Sequence, residues 1–446
     1  MFILLIAITA LICVLAPLVA YLRHRDVFHP TVLIAPMCGF LYVYMPLKLM
    51  KSDDLFAFVS NDQAVFYQLL IVLVLAAFFV GMLAGSGFRP SDLAAQRILG
   101  DRKKLHNGAY FFGFLGFFAF AYTVHNVGGI SAAFGSRYGG GWSAIGYVRD
   151  AAYLTIVGMV LLLSPEAFDP KNKFWRLAIL IFATPWLAYS LLGTRRGPTF
   201  MVTVCIGMSW YMARGKRPSI FTLLAGGTGL GLLMLFLVSN RDHICLKCDL
   251  DLTTDVSSVT EVVNESNEYI FGTGCVATSR VTGDYFWGKR YLAQITIRAI
   301  PSQIWPTKYE DVGMGELRQN AGVAGPGLMD VMGWGEIPGA AATMVADMWV
   351  EFSWLEIPVA LLAGWAFGRI WRLAITRIGF WMTEYIILCV LSIYFVTQSG
   401  EAVISRFVIL SVPALIVWRR AQKNGMLVPV GAGNVEISPA QPVLHV

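Results

Sequence analysis

Residues 64–86 read AVFYQLLIVLVLAAFFVGMLAGS. A helix needs about 20 predominantly apolar residues to cross the hydrocarbon core of a bilayer, and this run is long enough. A barrel strand would alternate with period two over about ten residues. The run is longer and unbroken, so it reads as a membrane-spanning helix. Working outward, comparable runs stand at 2–22, 31–49, 109–125, 148–163, 175–192, 198–213, 219–238, 350–368, 380–397 and 405–418, about eleven in all. Those at 148–163 and 405–418 are short. The whole chain agrees: of 446 residues, 57% are hydrophobic and 14% charged, against about 25% charged in soluble domains. Mean hydropathy is +0.62. These values exclude an ordinary soluble enzyme, a disordered chain and a disulfide-stapled secreted module. The expected fold is an all-α polytopic membrane protein.

Charge bias sets the expected orientation, because cytoplasmic connections collect Lys and Arg. Alternate connections carry Arg23 and Arg25; Arg89, Arg97, Arg102, Lys103 and Lys104; Lys171, Lys173 and Arg176; Arg214, Lys216 and Arg217; Arg369, Arg372 and Arg377. The C-terminal segment adds Arg419, Arg420 and Lys423. The opposite short connections carry only Lys48 and Lys51, Arg137, and Arg195 with Arg196. The N-terminus is therefore expected outside and the C-terminus inside. The first apolar run has no basic residue before it, so it does not read as a cleaved signal.

This phase divides the chain into helices over 1–238, a large external loop over 239–349, further helices over 350–420 and a disordered cytoplasmic tail over 421–446. Loops as long as 239–349 are usually functional or disordered. No internal repeat is visible, which speaks against an inverted-repeat transporter. The few ionisable residues in the apolar runs speak against proton coupling. The loop holds Cys245, Cys248 and Cys275. In an oxidising compartment these suit a disulfide; with His243 they also permit a Cys3His zinc set, and free thiols are the third reading.

Four polar clusters lie on the expected outer side. Gly193-Thr-Arg195-Arg196-Gly197-Pro198 places two arginines against the charge bias. Guanidinium forks suit phosphate, and the following helix start favours an anion. The alternative is snorkelling to headgroups. The second cluster is Arg280, Lys289, Arg290 and Arg298, then Trp305 and Lys308 among Pro and apolar residues. It suits an anionic sugar or phosphorylated lipid at the interface, or a loop that simply covers helix ends. The third, Asp347-Met-Trp349-Val-Glu351, puts two carboxylates on one helix face beside tryptophans, as sugar binding and general-base work require. Solvated carboxylates at a helix start are the alternative. The fourth, Glu401 to Arg406, is either an internal ion pair or a site.

These stretches resemble the Wzy-type polymerases, which join lipid-linked oligosaccharide repeat units outside the cytoplasmic membrane in O-antigen, common-antigen or capsule synthesis. The carriers are Gly193-Thr-Arg195-Arg196-Gly197, Ile300-Pro301-Ser-Gln-Ile-Trp305-Pro306, Ala346-Asp347-Met-Trp-Val-Glu351-Phe-Ser-Trp354-Leu, and Glu401-Ala-Val-Ile-Ser405-Arg406. The family patterns are roughly G-x-R-G or GTR, P-x-x-x-W-P, and A-E-x-Y-x-x-F-G-W-L-G. Asp347 stands where the family has Glu, Ser353 where it has Gly, and Glu356 where it has a later Gly. O-antigen ligases share much of the pattern.

The resemblance implies a bacterial inner-membrane glycosyltransferase with a periplasmic site. An acceptor sugar hydroxyl on one lipid-linked unit attacks the anomeric carbon of another, and undecaprenyl pyrophosphate leaves. Arginines can stabilise that charge without a metal; no cofactor and no nucleic acid enters. On this reading Arg195, Arg196, Arg298 and Arg406 hold pyrophosphate. Asp347 is the first choice of base, then Glu351, then Glu401. Arg280, Lys289, Arg290, Trp305, Lys308 and Trp349 meet the glycan. The partners are the lipid-linked donor and acceptor, membrane lipids and a chain-length-regulating protein. Ligase-like transfer to another acceptor and a polysaccharide or lipid transporter are the alternatives.

Overall fold

The computed structural model describes residues 1–87, 96–136, 146–168, 174–240, 243–248, 268–298, 300–301, 303–313, 327–333 and 341–429. Arg137, much of the 239–349 loop and the tail over 430–446, all assigned above, lie partly or wholly outside them. The principal elements are α1 (Phe2–His24), α2 (Pro30–Lys51), α3 (Asn61–Ser86), β1 (Gln96–Gly100), α4 (Arg102–Asn126), α5 (Gly146–Ala151), α6 (Leu154–Leu162), α7 (Phe174–Leu192), α8 (Arg196–Ala213), α9 (Ile220–Ser239), α10 (Glu268–Thr282), α11 (Lys289–Ile295), α12 (Thr343–Phe352), α13 (Glu356–Thr376), α14 (Phe380–Thr397), α15 (Gly400–Ala421) and β2 (Gln422–Pro429).

Nine helical stretches among the described residues are long and apolar enough to cross a membrane, with α12 and α13 counted as one. The other two expected spans fall short for visible reasons. Residues 148–163 are split between α5 and α6 by a turn at 152–153. Helix α8 begins at Arg196 and carries Thr, Ser, Trp and Tyr along its length. The protein is therefore a multi-pass helical membrane protein; among the described residues the one exception to helix is a short ribbon in which β1 and β2 pair antiparallel. The expectation of disorder from 421 is corrected accordingly: Gln422–Pro429 finds a strand partner.

Local chemistry sets the helix ends. Ser60 caps α3 in a capping box with Gln63, Asp101 accepts from the amides of Lys103 and Lys104, and Ser399 caps α15. At the centre, α3 and α13 pack backbone to backbone. Each carries glycines four apart, Gly81 with Gly85 and Gly364 with Gly368. A Cβ at Gly364 would collide with the Phe78 carbonyl, and one at Gly81 with that of Leu361. Small residues at this spacing let membrane helices approach closely, where dispersion rather than the hydrophobic effect drives association.

The external connection does not stand apart as a subdomain where it is described. Helix α10 is almost wholly buried. Tyr269 donates to Gln68 Oε1 of α3 (2.8 Å), and Gln68 in turn reaches Thr9 (2.9 Å) and the Tyr42 carbonyl (3.2 Å). Buried polar groups need such partners, above all where no water reaches. Cys245 and Cys248 are disulfide-bonded, while Cys275 is buried in α10, so the zinc set with His243 does not assemble.

Candidate functional site

The turn before α8 is unusual. Helix α7 ends in a π turn, Ala188–Leu192, and the chain reverses through Thr194 at φ 47°. A β-branched residue with positive φ is a backbone outlier, and such strain collects at functional sites. Thr194 is buried, and its hydroxyl has no hydrogen-bond partner among the described residues. The turn presents the Arg195 guanidinium over the Tyr189 ring at 5.7 Å. Burial pushes Arg195 below its usual pKa, with Tyr189, Tyr394 and Tyr153 opposing the shift and Arg149 adding to it. An arriving anion reverses that shift. Gly197 leaves room for Tyr394, whose hydroxyl a Cβ there would meet at 2.8 Å.

The Tyr394 ring in turn faces Arg406 at 4.5 Å. Arg406 donates through Nε to the Tyr153 hydroxyl (2.7 Å) and through Nη1 to the Ala402 carbonyl (2.6 Å). Its neighbour Ser405 is a second buried hydroxyl without a partner among the described residues. Arg298 donates to Asp150 Oδ2 (2.5 Å), and Arg149 stands 3.7 Å from the other oxygen. Arg149 and Arg298 thus flank the Asp150 carboxylate, while Arg195 and Arg406 face the adjoining tyrosines Tyr189, Tyr153 and Tyr394.

A second half adjoins the first with the opposite balance. Arg290 lies between Asp347 and Glu351: Nε donates to Glu351 Oε2 (2.9 Å), Nη2 to Asp347 Oδ1, and the Arg290 amide to Glu351 Oε1 (3.1 Å). Its Nη1 is 3.8 Å from Glu401. Burial alone would lower the Arg290 pKa, but Asp347, Glu351 and Glu401 together raise it. Asp347 also accepts from the Tyr291 hydroxyl and from the Gly400 amide (2.8 Å). Burial and Asp347 hold the Tyr291 phenol well above its ordinary pKa, so it remains a donor. Gln294 joins the halves, donating to Glu401 Oε1 and accepting from Arg298 Nη1 (2.8 Å).

Several expected roles change. Asp347 and Glu351 are fully buried, 0% exposed, and bonded to Arg290. They anchor the starts of α11 and α15, through Arg290, Tyr291 and the Gly400 amide, and lie away from the surface. Glu401, third in the expected order, keeps 31% of its side chain exposed. Arg290, expected to meet a glycan, is buried as an internal counterion to Asp347 and Glu351. Trp349 is buried among Phe66, Tyr285 and Trp354, and Lys308 is buried with its amine on the Ile297 carbonyl and the Tyr147 hydroxyl, each 3.1 Å away. Arg196 turns away from Arg195 and pairs with Glu268 of α10. Arg280 lies over Phe66 at 4.1 Å, Lys289 is exposed, and Trp305 donates to Asp311; none of these joins the cluster through the contacts named. Glu401 and Arg406 do not pair with one another.

Arg149, Asp150, Tyr153, Gln294 and Tyr394 join the site without belonging to any of the four polar clusters of the sequence. The available signal was an Arg-Asp pair at the head of the weakest apolar run. Glu356 and Glu384 are buried within α13 and α14. Comparisons with protein-family models, with curated proteins and with solved structures return no match.

Proposed function

We propose that the protein is a membrane glycosyltransferase that polymerises oligosaccharide repeat units carried on undecaprenyl pyrophosphate. On this reading it crosses the bacterial inner membrane about eleven times, N-terminus outside, and the site faces the periplasm. The observation that carries the proposal is the juxtaposition across Gln294 of an arginine cluster and an accessible carboxylate, Glu401.

The chemistry follows from that pairing. The acceptor hydroxyl attacks the anomeric carbon of the donor. The bond from that carbon to the pyrophosphate oxygen breaks, and the configuration inverts. Charge accumulates on the pyrophosphate, where Arg195, Arg406, Arg298 and Arg149 stabilise it in a fixed arrangement. The hydroxyl proton passes to Glu401. The hydroxyls of Thr194 and Ser405, next to Arg195 and Arg406 in sequence, are buried without a hydrogen-bond partner among the described residues. Asp347, Glu351 and Arg290 hold the geometry and do not take the proton. Support also comes from the resemblance of the Arg195, Asp347 and Glu401 stretches to the Wzy-type motifs.

The test is purified protein with a lipid-linked repeat unit and no added nucleotide, its products resolved by gel. A ladder spaced by one repeat unit is the expected result. Transfer only to a different supplied acceptor makes the protein a ligase. No transfer to any acceptor removes the glycosyltransferase reading.

A further inference from the structure

At the end of the bundle away from the candidate site, the first turns of α4 lie against the last turns of α15. The Asp101 amide donates to the Ala421 carbonyl (2.8 Å), and the ribbon of β1 with β2 joins the chain before α4 to the chain after α15. The helices touch at Gly108, where a Cβ would lie 2.5 Å from Val417 Cγ1. Beside this contact runs a groove of about 510 Å³.

The groove is graded along its length. Its walls are Phe111, Phe112, Ile416 and Val417, and its mouth carries Lys104, Asn107 and Arg420. Lys104 and Gly108 are four apart on α4, as are Ile416 and Arg420 on α15. Each pair therefore shares a helix face and spans about 6 Å along it. Two cations and an amide thus stand one to two turns from an exposed apolar wall, in which Phe111 is 63% and Ile416 40% exposed. An acyl chain matches the wall and a phosphate diester matches the mouth. A zwitterionic headgroup would bring its own cation toward Lys104 and Arg420, whereas an anionic one does not; basic pockets between membrane helices select anionic lipids for this reason.

We infer that this groove is a binding site for an anionic glycerophospholipid of the leaflet opposite the candidate site. The phosphate lies between Lys104 and Arg420, Asn107 hydrogen-bonds the headgroup, and one acyl chain lies along Phe111, Phe112 and Ile416. Lys103 and Arg419 are adjacent in sequence but about 100° round their helices, so they supply the same charge at the same depth on other faces.

The experiment is native mass spectrometry of the full chain in maltoside detergent, titrated with phosphatidylglycerol or phosphatidylcholine. Wild type should prefer phosphatidylglycerol by about tenfold, on the scale of one or two charge-assisted contacts. Lys104→Ala with Arg420→Ala should abolish the preference, and Lys103→Ala with Arg419→Ala should keep it. Equal loss in both double variants would mean diffuse surface charge and would overturn the site, as would equal binding of the two lipids by wild type. A phosphatidylglycerol with a photoreactive acyl chain gives a readout that needs no variant. Crosslinks should fall within 104–112 and 416–420, and their absence there overturns the proposal.

Discussion

At the level of single residues, the two halves of the site predict opposite phenotypes. Arg290 is buried between two carboxylates, so removing a partner leaves an uncompensated charge at a cost of about 3–5 kcal/mol. Arg290→Ala and Asp347→Asn should therefore lower the thermal unfolding temperature in detergent markedly and lose activity with the fold. Glu401→Gln should unfold near the wild-type temperature yet lose turnover by about 100-fold or more, as expected for a missing general base. Full turnover in that variant would return the base assignment to Asp347 or Glu351. Arg195→Ala and Arg406→Ala should reduce chain transfer by about 100-fold or more, on the scale of a lost transition-state donor, with membrane insertion unchanged by fractionation. Arg196→Ala should be much milder, because its partner Glu268 lies on α10, outside the cluster.

Whole elements answer to packing and capping. The contact of α3 with α13 leaves no room for a side chain at Gly364, so Gly364→Leu should separate the pair. The expected result is lower yield of monodisperse protein in size-exclusion chromatography, while Gly226→Leu on α9, where nothing crowds the backbone, should have none of this effect. His29 caps α2, accepting from the Thr31 amide (3.3 Å) through Nδ1, and its ring stacks on His24 and meets the edge of Trp371. Burial first, then His24 and Arg23, push its pKa down to about 3. The folded state thus refuses a proton that the unfolded chain accepts near pH 6.5. The stability contributed by neutral His29 is complete above that pH and is lost as pH falls toward 3. The unfolding temperature should drop by several degrees between pH 7 and pH 5. His29→Asn, which keeps a capping acceptor, should flatten that slope; an unchanged slope would assign it to other groups.

For the molecule as a whole, the proposed orientation places the two termini on opposite sides of the membrane. An N-terminal tag should be reached by protease added to spheroplasts, and a C-terminal tag only after permeabilisation. Access to the C-terminal tag alone would reverse the charge-based assignment, and equal access to both would rule out an odd number of crossings. The helical, membrane-spanning architecture was legible in stretches such as 64–86, because apolar length and charge depletion are one-dimensional properties that the bilayer reads directly. The helix contact through Gly81, Gly85, Gly364 and Gly368 also left a readable trace, as two small-residue repeats of matching period. The candidate site was legible only in part. Arg195, Arg298, Arg406 and Glu401 stood out because charges are rare near apolar runs, but their assignments within the site did not follow from rarity. Which carboxylate stays accessible, that Arg195 and Arg196 diverge, and that Arg149 with Asp150 completes the cluster depend on how α5, α11, α12 and α15 meet. Charge balance and burial are sums over neighbours distant in the chain, and those sums exist only once the helices are packed.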